Sequence, residues 1–468
     1  MRETLEYLRS FAQFPFALRR FLGVRLTLEQ ARGIVRERME RREDNFLRFA
    51  GRSIYGHAGS PYLALLKLAG CELGDLRAAV KKKGLEGALE ELREAGVYVT
   101  FEEFKGRKPI VRHGRTIPAA ARDFDNPFAR RDFSLRTGGS TGLATSVSQD
   151  LDYIAAGVPQ HMLMLDAWGV LDTPAVHWMD MLPGGGLRFI IQRAYFERSP
   201  EKWFAPVGWT DSRYWFKYRA ATIYMILCLR ALGVKVSLPE IVEMDQALVV
   251  ARYLRGRLDA AQPCLLYSSA SRGLRVCVAA GQAGFDLAGA TFRVGGEPVT
   301  AAKAQAMRRT GVRVLPVYGA IETGSVGLGC AQPAETDDVH FCKDAFALIT
   351  HPYQAGGLTT VPALSLTSLV DSTSKVLLNY QSDDYAVVQE RPCGCPLEAF
   401  GYTTHLHGIR SYSKLVGEGV SLIGNEMLNI LEHALPARFG GTPLDYQLIE
   451  REDAGGLTRL YLIIAPRL

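Results

Sequence analysis

Between about residues 126 and 400, short apolar runs alternate with stretches of helical periodicity. That alternation is the pattern of an α/β layer fold, and it constrains this chain more than any other feature. The run from Val176 to Leu182 ends in Pro183-Gly184-Gly185-Gly186. Cys264-Leu265-Leu266-Tyr267 ends in Ser268-Ser269-Ala270-Ser271, and Ala290-Thr291-Phe292-Arg293-Val294 ends in Gly295-Gly296-Glu297-Pro298. Val312 to Val317 ends in Tyr318-Gly319-Ala320-Ile321-Glu322. Strands that repeatedly finish in small or polar residues predict the carboxyl edge of a sheet, where α/β folds place their ligands.

The chain has 468 residues, enough for two or three domains. Residues 1–125 read as a helical N-terminal region of a large domain. Thr27 and Gln30 fit a capping box, and Gly70, Gly84 and Gly96 read as helix stops. No catalytic cluster is legible there, so this region is expected to support a site rather than to form one. Residues 126–407 form the α/β core. Residues 408–468 read as a small α+β piece with helical spacing from Leu422 to Leu435, followed by a hairpin. This piece is expected to be a reduced or incomplete C-terminal domain. The expected fold class is therefore α/β, with layered sheets, a helical N-terminal region and a partial C-terminal subdomain.

Composition excludes several classes. An apolar fraction of 47% and a charged fraction of 22% are those of a globular protein. A net charge of +6 is mild for this length, and no basic run is interleaved with aromatics, so no nucleic-acid partner is expected. No apolar stretch reaches the ~20 residues of a membrane span. Phe11, Phe14, Phe16, Leu18 and Phe21 are expected to pack on the protein rather than on a membrane surface. Isolated cysteines in apolar surroundings suit reduced thiols and a cytoplasmic location.

Leu135 to Thr145 holds three glycines and four hydroxyl side chains. Gly138, Gly139 and Gly142 permit backbone turns that bring successive N–H groups into a concave nest for an anion. Thr137, Ser140, Thr141 and Thr145 add donors without bulk. Tyr153, Ile154 and Val158 predict a helix soon after the loop, whose N-terminus would add a positive dipole.

Four stretches together, with a fifth at residues 408–410, resemble the superfamily of adenylate-forming enzymes (acyl-CoA synthetases, peptide-synthetase adenylation domains and luciferases), most closely the phenylacetate–CoA ligase branch. Thr137 to Thr145 resembles its phosphate loop. Gly295-Gly296-Glu297-Pro298 resembles the turn along the adenine. Tyr318-Gly319-Ala320-Ile321-Glu322 resembles the motif whose aromatic ring stacks near the adenine and whose glutamate, here Glu322, holds Mg²⁺. Leu377 to Asp384 resembles the segment whose last aspartate, here Asp384, binds the ribose hydroxyls; Asn379 stands where the branch commonly has arginine. Gly408-Ile409-Arg410 resembles the interdomain segment, which implies Arg410 as a ribose or phosphate contact and Lys414 near a hinge. The family's catalytic lysine near the end of the C-terminal domain has no counterpart after Lys414.

The chemistry these roles require agrees with the residue types. Joining a carboxylate to the α-phosphate of ATP brings two anions together, so donors and a cation must stand where charge accumulates. A carboxylate such as Glu322 is a hard oxygen ligand for Mg²⁺, and Asp384 can accept two hydrogen bonds from a diol. Separately, Cys330, His340, Cys393 and Cys395 make a set of four S and N donors of the kind that holds structural Zn²⁺, with Cys342 as a spare or a replacement for His340. Reduced core thiols are the alternative. The resemblance places a cysteine, a histidine and a Cys-x-Cys pair at matching positions of the branch.

The expected activity is ATP-dependent conversion of a carboxylic acid, aryl or apolar, to an acyl-adenylate with release of pyrophosphate. Transfer to a thiol follows, CoA by expectation, with a carrier protein or an amine as other acceptors. A non-catalytic nucleotide-binding homologue is the rival from another class. Trp178, Met179, Trp209, Tyr214, Trp215 and Tyr224 are the expected walls of the acyl pocket, with a place in the core as an equal alternative. His177 is read as a core histidine, with contact to the acyl carboxylate as the alternative. A homodimer is among the expected assemblies.

Overall fold

The structure is a computed structural model. It describes residues 2–136, 146–206, 212–355, 359–412, 416–417, 420–421, 427, 429–452 and 458–466. The phosphate-loop residues Thr137 to Thr145, together with Trp209 and Lys414, lie outside the described residues.

A thirteen-stranded mixed sheet runs through the molecule. One half is parallel, in the order Glu240–Ile241, Lys202–Ala205, Ala175–Trp178, Cys264–Ser269, Ala290–Gly295 and Arg313–Ala320. The other half is antiparallel and continues through Gly324–Gly329, Val339–Phe341, Thr404–Ser411, Tyr380–Glu390, Thr359–Ser368 and Phe346–Ala355. The sheet changes character at Arg313–Ala320, which is parallel on one side and antiparallel on the other.

The parallel strands are buried on both faces, as their near-continuous apolar sequences require. Val176, Leu266, Phe292 and Val294 form one core with the helices Ala247–Asp259, Ala270–Gln282 and Ala301–Arg308. Leu265 and Tyr267 face a second core with the helix Val158–Ala167. Each such buried apolar side chain contributes about 1.5–3 kcal/mol. The helix Gly186–Ala194 packs its Leu187, Ile190 and Ile191 in a third core with Phe14, Leu18 and Phe21 of the first helix, Arg2–Leu22. The aromatic N-terminal segment therefore packs on the protein, though Phe16 remains 78% exposed. Among the described residues no helix is long and apolar enough to cross a membrane.

The N-terminal region is helical. Thr27 caps Leu28–Glu40 with both bonds of the expected capping box. Gly84, with φ of 74°, kinks Leu73–Glu94 where the sequence suggested two helices. Val99–Thr100 then adds itself in parallel to Tyr380–Glu390, tying this region to the antiparallel half.

The helix expected soon after the glycine loop is Leu151–Ala156, which holds Tyr153 and Ile154, and Val158 opens the next one. Two other expectations change, and one strand is unforeseen. Ser146–Gln149 is an unforeseen strand, paired antiparallel with Phe133–Arg136 from Phe133 against Gln149 to Arg136 against Ser146. Val147 and Gln149 share its buried face and Ser148 lies on the other, and the Asp150 cap then starts the helix Leu151–Ala156. The strand at Val176 spans only Ala175–Trp178, because Asp180 turns away to take both its oxygens to Arg272 at 2.8 Å. Near the C-terminus, the described residues of the Leu422–Leu435 segment are helical, with a π-helical turn at Ile430–Ala434. It runs on into a helix, Leu435–Phe439, that accepts Pro436 in its first turn, where proline's missing N–H is harmless.

Candidate functional site

The tips of the parallel strands converge where the sheet changes character. Ala290–Gly295 delivers Gly295 and Gly296, the latter with φ of 79°, a conformation that favours glycine. Glu297 follows, and its carboxylate accepts from the Ser271 N–H at 3.1 Å and from the Ser271 hydroxyl, with the Lys303 ammonium 3.8 Å away. Lys303 in turn pairs with Glu432 of the C-terminal segment at 2.9 Å, and Thr300 bonds the same carboxylate. The turn implied for adenine is thus a braced element, and the C-terminal piece is docked beside it.

The next strand carries Tyr318, Gly319 and, just beyond it, Glu322. A β-bulge lies between Tyr318 and Gly319. At Gly319 a Cβ would lie 2.0 Å from the Gly324 carbonyl oxygen, so only glycine fits this close approach. The Tyr318 hydroxyl donates to Asp384 Oδ2 at 2.9 Å, although three strands separate the two in the sheet order. Burial, followed by the neighbouring Asp384 charge, pushes the Tyr318 hydroxyl pKa well up, so the phenol keeps its proton. The residues implied for adenine and ribose therefore meet.

Glu322 is 7% exposed, and its carboxylate is ion-paired with Lys105. Residues 1–125 were expected to support a site rather than to form one, and Lys105 from that region is in direct contact with Glu322. Thr100 caps the short helix Phe101–Phe104 and shares a capping box with Glu103, and Lys105 is the C-cap residue. Glu103 is fixed by a bidentate pair with Arg112, at 2.8 and 3.0 Å. Burial alone would raise the Glu103 pKa. Arg112 and the Thr100 N–H outweigh it and hold the carboxyl below the usual range. That braced turn carries Lys105 to Glu322. Lys105 is separated from Glu322 by 217 residues and sits in a polar run that reads as solvated surface, so no local signal could have found it.

Arg410 lies on the strand next to Asp384, with its Nη1 on Asp337 Oδ2 at 3.0 Å. Asp337 also accepts from the backbone N–H groups of Gly408 and Ile409. Asn379 is fully buried, with a positive φ of 46°, and donates to the carbonyls of Leu89 and Val97. It therefore fastens the N-terminal region to the strand that bears Asp384.

The donor atoms of Cys330, His340, Cys393 and Cys395 all lie within 4.8 Å of one another. His340 donates from Nδ1 to the Tyr402 carbonyl at 2.7 Å, which leaves Nε2 facing the thiols, 3.9 Å from Cys393 Sγ. The backbone N–H groups of Gln332 and Cys395 point at Cys330 Sγ and Cys393 Sγ, at 3.4 and 3.3 Å. Hydrogen bonding from Cys330 pushes the Cys395 thiol well down. Two buried thiols, a half-buried one and an oriented imidazole fit a tetrahedral zinc site in donor type and spacing. Cys342 is buried elsewhere and is a spare.

The expected acyl-pocket walls divide. Trp178 faces the opposite core and donates to the Val242 carbonyl at 3.2 Å. Tyr224 is 36% exposed and donates to the Phe11 carbonyl. His177, read as a core histidine, is indeed fully buried, but neither of its ring nitrogens has a hydrogen-bond partner. Arg293 was passed over altogether. An arginine inside an otherwise apolar parallel strand was the available signal.

No family model and no curated protein sequence matches this chain. Solved structures do match. The chain is similar to 2-hydroxyisobutyryl-CoA ligase in complex with 2-HIB-AMP and CoA in the thioesterification state, at 13% identity and a TM-score of 0.50, covering 91% of this chain and 78% of that one. The open conformation of the same ligase gives 12% identity and a TM-score of 0.45, over 94% and 85% of the two chains. An anthranilate CoA ligase in complex with anthranoyl-AMP gives 12% identity and a TM-score of 0.40, over 81% and 66%. At such identities the likeness is one of fold.

Proposed function

We propose that this chain, which has the fold of the adenylate-forming enzymes, activates a carboxylic acid with ATP. The acid's carboxylate attacks the α-phosphorus, the bond to the β-phosphate oxygen breaks, and pyrophosphate leaves as the acyl-adenylate forms. The observation that carries this reading is the meeting of Tyr318, Asp384 and the 295–298 turn at one sheet edge, with Glu322 buried close by. Asp384 would accept from the ribose hydroxyls and Tyr318 would flank the base. The loop from Thr137 to Thr145, with Gly138, Gly139 and Gly142, would enclose the β- and γ-phosphates.

Mg²⁺ bound with ATP would neutralise phosphate charge. Such ions are held by one or two carboxylates plus phosphates and water, and Glu322 is of the right type. Its oxygen is committed to Lys105, so metal binding at Glu322 would require Lys105 to turn towards the phosphates. Lys105 would then be a fixed cation beside the reacting anions. Arg410 would serve phosphate or ribose after leaving Asp337. Transfer to CoA, as in the acid–thiol ligases of phenylacetate–CoA type, is the proposed second step. Zn²⁺ held by Cys330, His340, Cys393 and Cys395 would be structural.

The test is acid-dependent exchange of labelled pyrophosphate into ATP, over a panel of aromatic and aliphatic acids. Exchange with at least one acid, and its loss in Asp384→Ala, is expected. ATP binding with no exchange for any acid would favour a non-catalytic nucleotide-binding role.

A further inference from the structure

Three side chains stand side by side across three neighbouring parallel strands. His177 pairs in register with Tyr267, and Tyr267 with Arg293. All three point to the same face of the sheet, away from the core that holds Val176, Leu266 and Phe292. The rings of His177 and Tyr267 lie 4.6 Å apart, and the Arg293 guanidinium lies 5.0 Å from the Tyr267 ring and 4.6 Å from that of Phe189. Arg293 is 4% exposed, and His177 and Tyr267 are fully buried.

The row is cationic, and among the described residues it lacks a counter-charge. Arg193, itself 1% exposed, donates to the Tyr267 hydroxyl at 3.2 Å, and His161 Nε2 lies 2.7 Å from the same oxygen. Among the described residues no Asp or Glu is ion-paired with Arg193 or Arg293. Arg193 spends its other donors on the carbonyls of Arg198 and Thr173. Among the described residues Arg293 has no such outlet. Its Nε is buried without a partner, as are Nδ1 and Nε2 of His177. Buried charges are normally paired and buried polar atoms hydrogen-bonded. Aromatic faces attract a guanidinium but accept none of its five N–H bonds in the manner of an oxygen. Burial and the neighbouring arginines push the Arg293 pKa down to about 10, so it remains a cation at neutral pH.

The row also has a place in the site. Two residues further along the same strands lie Ser269 and Gly295, at the tips where the nucleotide turn begins. By the rise of a strand the row is therefore about 7 Å below the sheet edge. A carboxylate reacting with the α-phosphate must stay at that edge, so a group reaching the row belongs to the far end of the acid.

We propose that His177 and Arg293 seat a second carboxylate, at the far end of the activated acid, so that the substrate is a dicarboxylic acid with a spacer about the length of a benzene ring or a short alkyl chain. Arg293 donates to its oxygens, one ring N–H of His177 adds a third bond, and Arg193 acts through the Tyr267 hydroxyl as a positioning residue. This rests on the acid-activation reading above.

Matched pairs of acids test it by pyrophosphate exchange: isophthalate against benzoate, and adipate against hexanoate. The diacid of at least one pair should exchange tenfold or more faster at subsaturating concentration. Arg293→Leu should remove that preference, and Arg293→Lys should keep part of it. Preference for the monoacid in both pairs, or an Arg293→Leu variant that retains the diacid preference, overturns the proposal and leaves acid activation standing. Exchange with none of the acids counts against acid activation, and the melting temperature then decides the seat. A rise with isophthalate in the wild type but not in Arg293→Leu supports it, and no rise overturns it.

Discussion

Replacing Lys105 by Met isolates the unexpected contact of the site. The lysine and Glu322 side chains are 7% and 8% exposed, so the variant strands a carboxylate where water can hardly reach it. Breaking a buried pair from one side costs about 3–5 kcal/mol, most of it from the charge left behind. Taking ~2 °C per kcal/mol for a large domain, the melting temperature should fall by about 6–10 °C. The double variant Lys105→Met/Glu322→Gln removes both charges and should recover most of that loss. Millimolar Mg²⁺ should raise the melting temperature of Lys105→Met, where the carboxylate is open to the ion, and leave the double variant unmoved. Differential scanning calorimetry with and without Mg²⁺ reads all four cases. A single variant as stable as wild type, or a double variant no better than the single, refutes the reasoning.

Metal analysis of protein purified without chelator should find one zinc per chain; Cys395→Ser should lose it, and zinc-free wild-type protein would sink the assignment. Gly319→Ala places a Cβ 2.0 Å from the Gly324 carbonyl oxygen; a loss of about 1–3 kcal/mol is expected, together with lost pyrophosphate exchange, and an unchanged thermal melt would contradict the packing. The depressed Glu103 pKa sets a pH dependence. Its stabilisation is fully present above the ordinary carboxylate range, about pH 4.3, and is lost as pH falls through the depressed folded value. Glu103→Gln should therefore flatten the acid limb of a stability–pH curve, and an unchanged limb would count against it.

The sequence made the parallel half legible because buried parallel strands are apolar on both faces and end in residues that a ligand edge needs. The cysteine set was legible because soft ligands are rare and recognisable by type. Lys105 was not legible, since nothing local distinguishes a lysine that will be buried by a strand arriving 217 residues later. Tyr153 and Ile154 were legible as a helix, but the strand Ser146–Gln149 was not, because four mostly polar residues give too little period-2 signal. Trp178 was left between pocket wall and core because strand parity cannot be assigned before the register is known, and the structure puts it in a core. Asn379 read as a departure from a motif, and the structure gives it a role of its own as a fastener.

The cysteine cluster bears on the order in which the site can assemble. Glu322 and Asp384 are 62 residues apart along the chain. Cys330 lies eight residues after the first, and Cys393 nine residues after the second. A metal joining these cysteines would turn the intervening chain into a closed ring, and the path between the two carboxylates would run through about a quarter of its original length. Loop-closure entropy of that size is on the order of 4 kcal/mol in an unfolded chain. A protein that acquires its metal early would thus search for the antiparallel half of its site as a short-range problem, and one starved of metal would face the same search as a long-range one.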